Sequence, residues 1–450
     1  MKDYLAQLAQ FTVDTSFDDL DESAITATQD VILDTLGAMV AGSREPENRK
    51  LAEWAARESG WGQSRLIGHD LTARPTFAAL SNATAGVALE VDEGNLWGGG
   101  HAAIHTVPGA LAVAEELGAS GRQLMEGVLV GYEVLSRIGG ATQPHAHVHS
   151  HGTWGAIGTA VAVARLQGWE ASRVRQVINL AASMSPANTW TPCFAGATIR
   201  NLYPGRAAFN GLLAVQLLEC GFQGLEDGPA DVYDGFLGKS FNPEEALEGL
   251  GEGYRIQQNY FKLHACCLYN HPALDAVLAL SRRQSIDPAD VESVEVTTIP
   301  FAAETMAYRE PQNQLSAKFS IPHAVAAALV RGRTDVTSFY PELVSDPAIR
   351  RLAARVTVKV DPQMAIRRRD YPAARVSIGL RNGRVLQEET VVIRGDSANP
   401  VPRQELVDKF LSLSQDILGQ KPAGQVVEVA HALQEVDDVR ELTGLLRASR

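Results

Sequence analysis

Cysteine is scarce in this sequence of 450 residues, which has four, Cys193, Cys220, Cys266 and Cys267. None belongs to a CxxC pair, and a disulfide framework needs a denser set. Long apolar runs are also missing; residues 324–330 end in charge well before the roughly 20 residues that span a bilayer. The first ten residues carry charge and lack the apolar core of a secretory signal. These absences predict no membrane association and a cytoplasmic protein.

Positive charge is in deficit, with 40 Lys and Arg against 53 Asp and Glu and a formal net charge of -13. An acidic chain without a basic stripe is predicted not to bind nucleic acid. An anionic substrate would instead need a local pocket of fixed cations. The hydrophobic content of 45% and charged content of 21% are typical of a folded globular protein and exclude wholesale disorder.

The first half of the chain is dominated by the periodicity of amphipathic helices. Apolar residues recur at three- and four-residue steps over residues 17–40, and again from Ser120, a predicted N-cap, to residue 138. Residues 154–167 are rich in glycine and alanine, which predicts a buried central helix that neighbours can approach closely. Further helices are predicted at residues 105–117, 172–185 and 207–220.

The pattern changes after residue 285. Alternating apolar residues predict strands at 291–299 and 355–360, and the runs 375–380 and 385–393 flank Asn382-Gly383, a strong hairpin signal. Helices are predicted between them, at 324–330 and 346–354, and after them, at 403–418 and 425–433. The sequence therefore predicts a mostly α protein. A large all-helical domain is interrupted by a smaller α+β unit, inserted before C-terminal helices that rejoin the first domain.

Side chains suited to proton transfer or anion binding lie in a few short segments. They are the acidic Glu90, Asp92 and Glu93, the histidines His101 and His105, the alternating run His145, His147, His149 and His151, the cations Arg200 and Arg206 around Tyr203, the segment Lys262, His264, Cys266, Cys267 and His271, and finally His323.

Two kinds of chemistry fit these residues. Histidine can act as acid or base near neutral pH, and Arg or Lys can neutralise substrate carboxylates and a developing enolate. Alternatively, alternating histidines on an extended segment point the same way and could share a metal ion, although no HExxH or paired CxxC supports this. Structural explanations also exist: a solvated acidic turn, a solvated histidine loop, a surface Lys262, buried packing of Cys266-Cys267, and a structural Asp34.

A series of motifs in register resembles the MmgE/PrpD family of polycarboxylate dehydratases, decarboxylases and epimerases, and covers essentially the whole chain. The matching pieces are Leu33–Gly37, Ala88–Glu93, His101–Ala103, Val107–Ala110, Gly131–Val134, Arg137–Ile138, His149–Gly155, Leu202–Ala208, Lys262–Cys267 with His271 and Asp275–Ala276, and Ala317–Pro322. Each is weak alone, and together they are specific for the family.

The resemblance implies a large helical domain with a lid domain, here residues 1–260, 261–398 and, for the rejoining helices, 399–450. It implies a pocket for a small polycarboxylate, a homodimer, and no metal, iron–sulfur cluster or organic cofactor. Transferred onto this sequence, the catalytic residues are His101, His149, Asp92 and Lys262. The residues expected to bind substrate are Glu90, Arg200, Tyr203, His151 and His323.

Three positions depart from the family pattern: Gly94 stands where Thr is common, Arg200 replaces a lysine, and His323 replaces a tyrosine. We expect a lyase without a cofactor that abstracts a proton next to a carboxylate. Dehydration is the preferred reaction; cis-aconitate-type decarboxylation and iminodisuccinate-type epimerisation are the alternatives. A metal-dependent hydrolase and a non-catalytic carboxylate-binding paralogue remain as alternatives of other classes.

Overall fold

The computed structural model describes residues 3–98, 100–366 and 372–449, and these are mostly α-helical, as predicted. The N-terminal part contains α1 Tyr4–Asp14, α2 Glu22–Gly42, α3 Pro46–Ser59, β1 Ser64–Leu66, β2 Leu71–Ala73, α4 Pro75–Val87, β3 Gly94–Asn95, α5 Ala102–Leu117, α6 Gly121–Ala141, β4 Thr142–Pro144, α7 Gly155–Leu166, α8 Ala171–Ser183, α9 Thr191–Ala195, α10 Leu202–Glu219, α11 Gly228–Tyr233, β5 Gly238–Phe241, α12 Pro243–Ala246 and β6 Asn259–Tyr260.

The remaining elements form a second group. They are α13 His271–Arg283, β7 Val291–Thr298, α14 Pro300–Thr305, α15 Gln314–Ala317, α16 Ile321–Arg331, α17 Pro341–Val344, α18 Pro347–Ala353, β8 Val356–Val360, α19 Pro362–Ile366, β9 Ala374–Leu380, β10 Val385–Thr390, α20 Arg403–Leu418, α21 Gln420–His431 and α22 Arg440–Gly444. Among the residues with a described conformation, no helix is both long enough and apolar enough to cross a membrane.

Helices α5, α6, α7 and α10 form the centre of the first hydrophobic core. Helix α6 begins at the predicted cap, where the Ser120 hydroxyl accepts from the Gln123 N–H and the Gln123 side chain returns to the Ser120 N–H. The prediction of a buried small-residue helix is confirmed for α7. A Cβ on Gly131 of α6 would lie 2.5 Å from the carbonyl oxygen of Gly158, so glycine is what allows these two helices to touch.

One prediction for the N-terminal part is wrong in detail. It is not all-helical, because three short antiparallel ladders lie within it: β1 with β2, β3 with β6, and β4 with β5. The motif Leu202–Ala208 begins α10, and Pro204 in the first turn lacks only an N–H that the helix does not use.

A four-stranded sheet follows, in the order β10-β9-β7-β8, with only the β7–β8 pair parallel. The predicted hairpin is confirmed, and Gly383 takes the left-handed conformation at its turn (φ +82°). Helices α13 and α16 pack against this sheet and each other, and their apolar residues form a second core.

Helix α20 returns to the first core and packs along α2, and its Phe410, Ile417 and Leu418 are buried there. The two chain crossings between the cores run side by side, with the Phe261 N–H donating to the Gly395 carbonyl at 2.8 Å. These contacts agree with a tail that rejoins the helical part. The domain limits at 260/261 and 398/399 stay a prediction.

Candidate active site

The acidic segment Glu90–Glu93 lies between α4 and β3, and all three of its carboxylates are buried. Glu90 has a left-handed backbone (φ +56°), the only such conformation of a non-glycine residue in the described ranges. A bulky residue in this conformation is uncommon and persists where surrounding contacts over-determine it. The segment is therefore held in place by its neighbours.

Glu90 binds two buried cations. Its Oε1 pairs with the Arg200 guanidinium, and its Oε2 accepts from the Lys262 ammonium at 2.9 Å. Burial raises the pKa of the Glu90 carboxyl, but Arg200 and Lys262 outweigh burial and hold that pKa below its usual value. Burial lowers the pKa of Lys262, while Glu90 and Asp92 more than reverse this and raise it. Both cations are therefore fixed charges at neutral pH.

Asp92 is the centre of a second set of contacts. Its Oδ2 lies 3.0 Å from His101 Nδ1 and 3.7 Å from His151 Nε2, and its Oδ1 lies 3.7 Å from Lys262 Nζ. Burial works to raise the pKa of Asp92, but the nearby Lys262 and His101 charges lower it far below its usual value. An ionised carboxylate beside His101 Nδ1 holds the orientation of the ring.

Three histidine rings stand next to Asp92. His101 stacks on His151 with ring centroids 4.2 Å apart, and its Nδ1 also donates to the Glu93 carbonyl at 2.6 Å. His105 lies behind them; its Nε2 accepts from the Gly152 N–H at 2.8 Å, and burial lowers its pKa to about 3. With His101 Nδ1 engaged, Nε2 is the nitrogen that remains for a substrate.

His149 is held between aromatic rings. Its ring stacks on Trp190 at 3.7 Å, and its Nδ1 accepts from the His151 backbone N–H at 3.0 Å. Burial, followed by the Arg200 charge, lowers the pKa of His149 well below its usual value. The neutral ring therefore carries its proton on Nε2, a buried atom with no hydrogen-bond partner among the described residues. Such an orphan donor is satisfied once an acceptor enters the site.

The alternating histidines do not share one site, so the hypothesis of an ion bound by all four is wrong. His145 and His147 stack on each other near the surface, while His149 and His151 are buried. Residues 145–148 form a turn in which the Val148 N–H donates to the His145 carbonyl at 2.9 Å, so the run is not the extended segment that the hypothesis requires. In the part of the chain that the structure describes, the side chains close enough to share a metal ion are those of Asp92, His101 and His151, whose ligand atoms lie within 4.8 Å of one another.

A small cavity of about 70 Å³ lies at the meeting point of these groups. It is lined by Glu90, Asn95, Leu96, Gly100, His101, His149, Ser150, Trp190, Arg200, Tyr260, Cys267, Leu268, Tyr269 and Phe319. The lining is thus part polar and charged and part aromatic and aliphatic, and the two parts touch, with His149 stacked on Trp190 and Arg200 over the Phe319 ring. Ligand pockets usually measure several hundred Å³, so an acid of six carbons enters only when the walls move apart.

The larger groove of about 750 Å³ lies elsewhere, between the N-terminal end of α2 and residues 395–406. Among its described lining residues, the one cation, Arg403, is already paired with Asp30, and the other charged residues are acidic. It contains none of the predicted site residues.

The structure brings together Glu90, Asp92, His101, His149, His151, Arg200 and Lys262. It does not bring the other two predicted residues to the cavity. The Tyr203 hydroxyl donates to the Thr189 carbonyl at 3.0 Å and accepts from the Thr189 N–H at 3.4 Å. His323 is buried in α16 with its ring against Phe339, and burial lowers its pKa to about 4.

The sequence reasoning did not assign a role to Lys318, Trp190 or Glu93. Lys318 is a buried lysine whose ammonium donates to the Ala88 carbonyl at 2.9 Å, and burial lowers its pKa to about 8. It stands in a motif already recognised, immediately before the cavity-lining Phe319. Burial raises the pKa of Glu93 well above its usual value, although the Ala103 N–H that donates to its Oε1 at 2.7 Å works against the rise.

The cluster after Lys262 divides in two. His264 binds Asp275 Oδ1 at 3.1 Å and the Thr334 hydroxyl at 2.5 Å, in a buried network apart from the cavity. Cys267 lines the cavity, and burial raises its pKa to about 12, so it is a thiol. The four cysteines are free, and Cys266 is fully buried.

Known proteins resemble this chain along nearly its whole length. A sequence profile of the MmgE/PrpD N-terminal domain matches residues 6–247, and one of the MmgE/PrpD C-terminal domain matches residues 264–435. A cis-aconitate decarboxylase of Aspergillus terreus is 22% identical, over 98% of this chain and 95% of its own. The cis-aconitate decarboxylases of Mus musculus and Homo sapiens are 25% and 24% identical, over 95% of this chain and 90% and 91% of theirs.

Five of the motifs that suggested the family from sequence contribute residues to the cavity lining: the acidic segment, the two histidine motifs, the segment after β6 and the segment Ala317–Pro322. The two profiles cover both cores, and the relatives align from end to end. The chain belongs to the MmgE/PrpD family.

Proposed function

We propose that this protein is a carboxy-lyase that removes CO₂ from cis-aconitate or a closely similar unsaturated tricarboxylate. The observation that carries the proposal is the cavity, whose lining combines Arg200, His101 and His149 with aromatic rings, and whose lining residue Glu90 also binds Lys262. The relatives that align over nearly their whole length are named as cis-aconitate decarboxylases, which favours decarboxylation over the dehydration expected from the sequence.

The reaction moves one electron pair along an allylic system. In cis-aconitate, the bond between the CH₂ carbon and its carboxylate breaks and releases CO₂. That pair forms a new double bond to the central carbon, and the pair of the old double bond moves to the CH carbon. The CH carbon, next to another carboxylate, takes one proton. The product is a five-carbon dicarboxylate with a terminal methylene group.

The charged wall of the cavity matches the groups that keep their charge. Arg200 presents a planar fork suited to one carboxylate, and its Nε has no hydrogen-bond partner among the described residues. The Nε2–H of His149 donates to a carboxylate oxygen. Lys262 stabilises negative charge as it moves to the CH carbon.

The proton comes from His101. Asp92 at its Nδ1 orients the ring, and Nε2 delivers the proton to carbon. The carboxylate that leaves lies against the apolar part of the lining, where a charge lacks hydration and a neutral CO₂ does not need it.

The test is an incubation with cis-aconitate in D₂O, followed by mass spectrometry and a CO₂ assay. We expect one CO₂ released and one deuterium gained at the former CH carbon, and loss of both in the His101→Ala protein. Citrate- and malate-type hydroxy acids and an iminodisuccinate-type acid form the comparison panel. An ultraviolet-absorbing product from a hydroxy acid without CO₂ would establish a dehydratase instead, and exchange without net turnover an epimerase.

Two further properties remain proposals. A homodimer is the commonest closed assembly, and sedimentation at micromolar concentration should give twice the monomer mass. Catalysis without a metal is expected to survive exhaustive chelation. A stoichiometric metal required for turnover would restore the hydrolase hypothesis, and binding of cis-aconitate without turnover would indicate the non-catalytic paralogue.

A further inference from the structure

The acidic segment is also held by Lys409, a residue that does not line the cavity. Lys409, in the C-terminal helix α20, donates to the Val91 carbonyl at 2.7 Å and to Asp34 Oδ1 at 2.5 Å. Its side chain is 12% exposed and that of Asp34 is 1% exposed. The cavity lies on the other side of the segment, where Asp92 contacts His101.

The contact falls on the residue immediately before Asp92. Lys409 binds the carbonyl of Val91, and the same ammonium donates to Asp34. Burial raises the pKa of Asp34, while Lys409 lowers it. The backbone on the N-terminal side of Asp92 is therefore tied to one buried ion pair.

The geometry points to Lys409 and Asp34 as positioning residues that fix the Asp92 carboxylate against His101 and thereby set the proton donor for the reaction. A buried ion pair is weak evidence for stability, because desolvation of both charges offsets most of their attraction. Its consistent effect is a defined geometry. Here that geometry matters, since Asp92 meets His101 at 3.0 Å and a displacement of about 1 Å can cost a hundredfold in rate.

The experiment compares Lys409→Met with Arg403→Met as its matched control. Arg403 lies on the same helix and pairs with Asp30 of the same partner helix α2, but does not touch the acidic segment. If the inference is correct, Lys409→Met lowers kcat by roughly 10- to 100-fold with KM changed less than threefold. Arg403→Met keeps kcat within twofold. Lys409→Arg, which keeps the charge, recovers most of the loss.

Two additions keep the result interpretable. The double variant Asp34→Asn with Lys409→Met removes the uncompensated buried charge and should fold, yet should show the same loss of kcat. Amide hydrogen exchange measures positioning without any substrate: residues 88–95 should exchange at least tenfold faster in both Lys409→Met proteins and unchanged in Arg403→Met.

The kinetic arm rests on the proposed function, and the exchange arm does not. If residues 88–95 exchange faster in Lys409→Met but the wild-type protein does not decarboxylate cis-aconitate, the proposed reaction is wrong and the positioning role is supported. Exchange and kcat in Lys409→Met that match those of Arg403→Met would overturn the positioning role, whatever the reaction is.

Discussion

Replacing Lys262 with methionine removes a cation that two carboxylates share. Its Nζ lies 2.9 Å from Glu90 Oε2 and 3.7 Å from Asp92 Oδ1, with the side chain fully buried. Breaking a buried pair by deleting one partner costs about 3–5 kcal/mol of unfolding free energy. For a chain of this length, about 1 kcal/mol corresponds to roughly 1 °C, so Tm should fall by about 3–5 °C.

Catalysis should fall by a comparable free energy. The variant loses the positive charge that stabilises the developing anion. It also leaves the carboxylates of Glu90 and Asp92 to repel the substrate. We therefore expect kcat/KM to drop by roughly 10²-fold or more, about 3 kcal/mol. Steady-state decarboxylation of cis-aconitate measures this. Arg137→Met is the control, because Arg137 forms a buried pair with Glu133 away from the cavity. It should lower Tm similarly and leave kcat/KM within threefold.

The pH dependence of the stability loss has a defined sign. The pKa of Lys262 is raised, so its contribution is complete below the unfolded value near 10.5 and is lost as pH rises through the folded value. The pKa values of Glu90 and Asp92 are lowered. Their contribution to folding stability is therefore complete above about pH 4 to 5 and is lost as pH falls through the folded pKa values. The deficit of Lys262→Met should therefore be largest between about pH 5 and 10. A variant within threefold of wild type in kcat/KM would refute the reasoning.

Three other substitutions give distinct readouts. Arg200→Lys should raise KM more than it lowers kcat, because an ammonium keeps the charge and loses the fork; steady-state kinetics checks this. His149→Ala should lower kcat/KM at least tenfold, whereas His147→Ala, at the exposed end of the same run, should leave it unchanged within twofold. His323→Phe should keep activity. The pKa of His323 is lowered to about 4, so wild type loses stability as pH falls from about 6.5 toward 4 and the unfolded ring takes up its proton. The variant should therefore be more stable than wild type at pH 5 relative to pH 7, which chemical denaturation at the two pH values measures.

The elements with strong local signals could be predicted. Helix α6 has its cap and apolar stripe in one continuous segment, and Asn382-Gly383 marks its hairpin within the turn itself. The ladders β3–β6 and β4–β5 could not, because strands of two to four residues form only where distant segments meet.

The residues of the site could be named from motifs, but their orientation could not. Tyr203 and His323 stand in or beside recognised motifs. Packing directs the Tyr203 hydroxyl to Thr189 and the His323 ring to Phe339. Trp190 lies in no recognised motif, so only its stacking on His149 reveals it. Side-chain direction depends on rotamers chosen by the surrounding packing, which a single sequence does not display.

The contact between α20 and the acidic segment can form only late in the synthesis of the chain. Lys409 is 318 residues beyond Val91, so at about 5–20 residues per second it leaves the ribosome roughly 15–60 s after its partner. During that interval Asp34 and the segment before Asp92 lack the cation that ties them together. Every residue proposed to touch the substrate has been made by residue 319. A nascent chain that stops between there and residue 409 therefore contains all the chemistry of the enzyme without the contact that aligns it.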